Sequence, residues 1–152
     1  MKTTLYLIIA SFLLINSCNT SKSDCEKERE VQEANKKMVA EFYQALFGDK
    51  NIEVIDKYIA EDYIQHNPMA ADGREALKNA LKGWFENASK EQIDIRRIGA
   101  DGDLVFLHTK NNFGGKTFSV IDIFRIENGI IAEHWDVIQQ VPDSAANEHP
   151  MF

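Results

Sequence analysis

The chain has 152 residues, 44% of them hydrophobic, with two Trp, four Tyr and nine Phe, enough for one domain with a real core. Its formal charge of -7 comes with no basic stripe that could neutralise phosphates, which excludes nucleic acid as a partner. Two cysteines are too few for a disulfide scaffold.

Lys2 precedes an apolar run from Leu5 to Ile15 that is too short to span a membrane and has the charged start and hydrophobic middle of a secretory signal. Ile15-Asn16-Ser17-Cys18 resembles a bacterial lipobox, with Asn16 as its one departure, so residues 1–17 are expected to be cleaved and Cys18 to carry lipid. An ordinary cleaved signal peptide and an uncleaved anchor are the competing readings. On the lipoprotein reading the protein is anchored in a bacterial cell envelope, periplasmic or on the outer surface. Residues 18–30 are then a polar tether and residues 31–152 the domain. With Cys18 acylated only Cys25 remains, which leaves no intramolecular disulfide and no cysteine metal site.

From Glu26 to Phe47 the residues Val31, Ala34, Met38, Phe42 and Leu46 recur at helical steps, and Val39, Tyr43 and Phe47 widen the stripe before Gly48-Asp49 closes it. A second helix is expected over Ile52 to Ala60. Pro68 forces Asn67 out of the helical region, so Asp62 to Pro68 is read as a short extended segment. Asp72 followed three residues later by Glu75 suggests a capping box opening a third helix, which presents Leu77, Ala80, Leu81, Trp84 and Phe85 on one side.

Beyond Asn87 the period changes to two. Gln92 to Ile98 and Leu104 to Lys110 read as strands around Asp101-Gly102, and Thr117 to Val141 reads as a hairpin about Glu127-Asn128-Gly129. The plan is α+β, with three helices packed on one face of a curved antiparallel sheet. Asp122, set between Ile121 and Ile123, needs a partner or a cavity, because a carboxylate taken out of water is costly. Whether it meets His108 depends on the loop between their strands. An odd loop puts both on one face, whereas a two-residue Gly114-Gly115 turn separates them. In the second hairpin a two-residue turn sets Asp122 opposite Trp135. A three-residue turn with a bulge sets it opposite His134, on the face of Asp136.

Tyr63-Ile64-Gln65-His66-Asn67-Pro68, Asp72-Gly73-Arg74-Glu75, Ile121 to Arg125, Glu133-His134-Trp135-Asp136-Val137 and Met151-Phe152 resemble the SnoaL-like polyketide cyclase family. Within it they are most similar to a bacterial branch described only as predicted aldol-condensation enzymes. The resemblance runs from about Lys36 to Phe152 and implies the NTF2-like cone, a curved sheet around a deep pocket closed by helices. It further implies an acid/base Asp on the sheet with a His fourteen residues earlier, the separation of His108 and Asp122 here. The lipoprotein leader departs from the family's characterised cyclases, which are cytoplasmic.

On this reading Asp122 takes a proton from carbon beside a carbonyl and His108 assists the developing enolate, with no cofactor and no metal. Tyr63, His66 and Asn67 are expected at the pocket mouth. Trp84, Phe106, Phe124 and Trp135 should form its walls, with His134 and Asp136 contacting a small hydrophobic substrate. Two other readings stand beside this one: a non-catalytic lipoprotein that captures a hydrophobic ligand, and an interaction domain that dimerises through the outer sheet face. In the latter the pocket would be filled by its own side chains. A homodimer is expected.

Overall fold

The computed structural model describes residues 17–152, with side chains from Ser23 onward. The signal run and the Ile15-Asn16 part of the lipobox lie outside the described residues, and so does the side chain of Cys18. The stretch through Val31 and the domain Gln32–Phe152 are separate units. No helix among the described residues is long and apolar enough to cross a membrane.

Helix α1 spans Ser17–Tyr43 and widens into a π-helical turn, Gln44–Gly48. The apolar stripe is buried only in its second half: Val31 is 57% exposed, whereas Val39, Phe42, Tyr43 and Leu46 are buried. The wide turn frees the Gln44 side chain, whose Oε1 accepts from the Ile93 N–H at 3.0 Å while its Nε2 donates to the Glu91 carbonyl at 3.1 Å. A side chain at Gly48 would meet both Gln44 and the Glu91 carbonyl, so only glycine fits where the helix end abuts this segment.

Helix α2 is one turn, Val54–Tyr58, shorter than the expected Ile52–Ala60, because the chain turns extended at Ile59 and enters β1, Ile59–Gln65. Helix α3 spans Arg74–Phe85. The expected capping box at its start does not form. Gly73, at φ 95°, takes the cap position without a side-chain bond, and the Asp72 carboxylate instead accepts the Gln65 N–H at 2.8 Å. Strands β2 (Asp94–Asp101), β3 (Leu104–Phe113), β4 (Lys116–Glu127) and β5 (Ile130–Gln140) complete the domain.

The sheet order is β1-β5-β4-β3-β2. The four later strands pair antiparallel as expected, and β1 joins the edge parallel to β5. Alternation along β3 and β4 buries Val105, Leu107, Thr109, Val120, Asp122, Phe124 and Ile126 on one face. The apolar members of that row, Val120 apart, join Phe42, Tyr43, Leu46, Ile55, Leu81 and Ile131 in the core.

Candidate active site

The first hairpin decides which residues share a face with Asp122. Gly114 and Gly115, at φ 57° and 77°, make a two-residue turn with Phe113 opposite Lys116. That register sets Leu107 opposite Asp122 and His108 opposite Ile121. Directly opposed residues share a face, so His108 lies on the other side of the sheet from Asp122 and cannot be its partner. Both His108 ring nitrogens are engaged there. Arg97 donates to Nδ1 at 3.1 Å, which leaves Nε2–H to donate to Ser119 Oγ at 2.9 Å. Burial first, then the charges of Arg97 and Arg96, holds the His108 pKa below its ordinary value. The Phe152 ring lies 6.5 Å away, over Arg96 and Lys110.

The second hairpin combines parts of both expected arrangements. Asn128 and Gly129 form a two-residue turn with Glu127 opposite Ile130. The register then slips once: Ile126 faces Ile131 but Arg125 faces Glu133, so Ala132 is an extra residue, a bulge. The slip sets Asp122 opposite Asp136, not opposite Trp135 or His134, and brings His134 onto the same face beside Phe124.

Asp122 is 5% exposed and His134 9%. His134 Nε2 lies 3.0 Å from Asp122 Oδ1, and its Nδ1 lies 3.0 Å from Gln65 Oε1. Gln65 Oε1 also receives the Asn67 backbone N–H at 2.9 Å, a group that can only donate, so that oxygen is an acceptor and Nδ1 carries a proton. The contact between Nε2 and Oδ1 must then hold a second proton, carried by the imidazole or by the carboxyl. Asp122 Oδ2 is buried and has no hydrogen-bond partner among the described residues. Asn67 Nδ2 donates to both oxygens of Asp136, at 2.9 and 2.7 Å.

Burial first, and the facing Asp122 charge second, pushes the Tyr43 hydroxyl well above the ordinary phenol range. Burial followed by the charges of Asp122, Asp136 and Asp72 does the same to Tyr63. Both phenols therefore keep their protons and serve as donors. Tyr63 Oη accepts from Gln65 Nε2 at 3.0 Å.

These groups line a cavity of about 750 Å³. Its opposite wall is the apolar face of α3, including Leu77, Leu81, Trp84 and Phe85. That explains why Trp84, expected as core or wall, is 71% exposed: it borders a hollow. Tyr63, Asn67, Phe124, His134 and Asp136 line the same space.

Four expected site residues do not. His108, Phe106 and Trp135 alternate onto the outer face, where Phe106 and Trp135 both oppose Ile123. His66 stacks on Trp135 with ring centroids 4.3 Å apart and lies 2.9 Å from Glu133, so it braces the outer side of β1. Gln65 and Tyr43 were missed. Period two along β1 puts Tyr63, Gln65 and Asn67 on one face and Ile64 and His66 on the other, a signal present in the sequence. Tyr43 read as helix core.

The SnoaL-like domain family matches residues 39–134. No curated protein matches the chain. Among solved structures it is similar to TsrD from Streptomyces laurentii, at 20% identity and a TM-score of 0.58 over 70% of this chain and 88% of that one. An M. tuberculosis LEH-like epoxide hydrolase gives 19% and 0.58 over 71% and 84%. An NTF-2 like protein from Burkholderia xenovorans gives 15% and 0.62 over 75% and 89%. At these identities the likeness establishes the fold, the NTF2-like cone. The chain belongs to the SnoaL-like domain family.

Proposed function

We propose that this protein is a small enzyme that moves a proton on carbon beside a carbonyl group, in an aldol, isomerisation or lyase step on a small apolar substrate. Asp122 is the base, and His134, rather than His108, is the partner that holds and returns the proton. Tyr63 is the donor available to a developing enolate oxygen, and the Tyr43 hydroxyl, hydrogen-bonded to Asp122, steadies the base. These residues need no cofactor for such chemistry. The observation that carries this reading is a buried carboxylate on the wall of an apolar cavity, with one oxygen bonded to an imidazole and the other without a hydrogen-bond partner among the described residues.

The test is exchange of α-protons for deuterium in a panel of apolar ketones and aldehydes, followed by NMR in D2O. Asp122→Asn should slow exchange by about 10²–10⁴-fold, the range of general acid–base catalysis. Exchange that persists in the variant would overturn the assignment. The size and apolar lining of the cavity also support a carrier of hydrophobic ligands, which would bind the same panel equally well with Asn at 122 and exchange nothing.

The lipid anchor at Cys18 and a homodimer complete the proposal. Native mass spectrometry of protein extracted from its own membrane should show an acylated Cys18 as first residue and twice the chain mass. An unmodified monomer would sink both.

A further inference from the structure

We infer that Asp122, His134 and Asp136 form a binding site for a divalent first-row transition cation, taken up in place of the proton that Asp122 and His134 share. This rests on reading the three side chains as the working site, though not on turnover. Their candidate ligand atoms lie within 4.8 Å of one another. Metal–ligand bonds of about 2.1 Å allow ligand pairs up to about 4 Å apart, so the site needs to contract by less than about an ångström. Asp122 and His134 already meet at 3.0 Å, the spacing of neighbouring ligands on one ion.

Four features point to a cation beyond the presence of acidic groups. The proton fixed on Nδ1 by Gln65 leaves Nε2 as the ring's coordinating atom, and it faces Asp122. Metal-bound histidines are held this way, with the far N–H on an oxygen acceptor. Asp122 Oδ2, buried and unpartnered among the described residues, has lone pairs that a cation would satisfy. Asp136 is oriented through both oxygens by Asn67, as ligating carboxylates are. Finally, Asp122 and Asp136 stand directly opposite across the ladder, where like charges repel, and a dication balances both. Imidazole with two carboxylates suits Zn²⁺, Co²⁺, Mn²⁺ or Fe²⁺, with the remaining positions open to the cavity.

The probe is Co²⁺, added to the full chain with Cys18→Ser and Cys25→Ser after chelator treatment and followed by visible absorption. Absorption bands that saturate at one Co²⁺ per chain are expected. Asn67→Ala should weaken binding by roughly 10–100-fold, the usual effect of losing a group that orients a ligand. Asp136→Asn and His134→Gln should abolish it while near-ultraviolet dichroism stays native. Should one of them fail to fold, the other still decides. Absence of bands at about a hundredfold excess of Co²⁺, or binding indifferent to both substitutions, overturns the inference. The ketone exchange assay on metal-free chain separates the two ideas. A chain that binds Co²⁺ without exchanging keeps the cation site and loses the catalytic reading, and a chain that exchanges without binding Co²⁺ loses only the cation site.

Discussion

His108 accepts a hydrogen bond from Arg97, a role only the neutral ring can fill. Its folded-state pKa lies below the ordinary value of 6.5, so as pH falls past that value the unfolded chain takes up this proton first. The folded state then loses stability toward acid. His108→Gln should flatten the decline in melting temperature between pH 7 and pH 5 relative to the parent, and should leave ketone exchange unchanged. A steeper decline, or lost exchange, would contradict its place on the outer face. At this scale the sequence identified Asp122 correctly as a residue in need of a partner, because a lone carboxylate between two isoleucines is legible from polarity alone. It did not identify the partner. Choosing between His108 and His134 requires the register of two hairpins, and spacing in the chain carries no such information.

Element by element, the later strands were readable, since β-branched and aromatic runs around Gly114-Gly115 and Asn128-Gly129 have few alternatives, whereas the lengths of the two turns were left open. The bulge at Ala132 was not readable. A two-residue turn and a bulge leave no distinct mark in the run Ile130 to Trp135, yet the bulge decides that His134 and Asp136 look inward and Trp135 outward. Helix limits failed for a similar reason. Asp72 has the right neighbours for a cap, but the unpaired Gln65 N–H competes for the same carboxylate and wins. The π turn at Gln44–Gly48 rests on a tertiary contact with Glu91, which no local pattern announces. That contact gives a direct test: Gly48→Ala forces a methyl group against Gln44 and the Glu91 carbonyl. It should cost about 1–3 kcal/mol in urea unfolding, the usual penalty of overpacking. A change below about 0.5 kcal/mol would mean that the helix end does not abut that segment.

For the molecule as a whole, the cone was legible because composition, the helix-then-strand order and the family blocks agree. The cavity was not derivable from pattern, since an apolar helix face looks the same whether it meets a core or borders a hollow, as α3 does. The stranded oxygen of Asp122 has a consequence for the balance between persistence and work. A buried lone pair without a partner among the described residues, opposite a second carboxylate, opposes folding by an amount on the order of 1 kcal/mol or more. Asp122→Asn lets a neutral amide donate to His134 Nε2 and removes the repulsion with Asp136. This variant should therefore melt a few degrees higher than its parent by calorimetry, and a lower melting point would refute the idea that this position is under tension. Selection for heat resistance alone would then replace this carboxylate first, and, on the proposed reading of Asp122 as the base, a durable descendant of this protein would be an idle one.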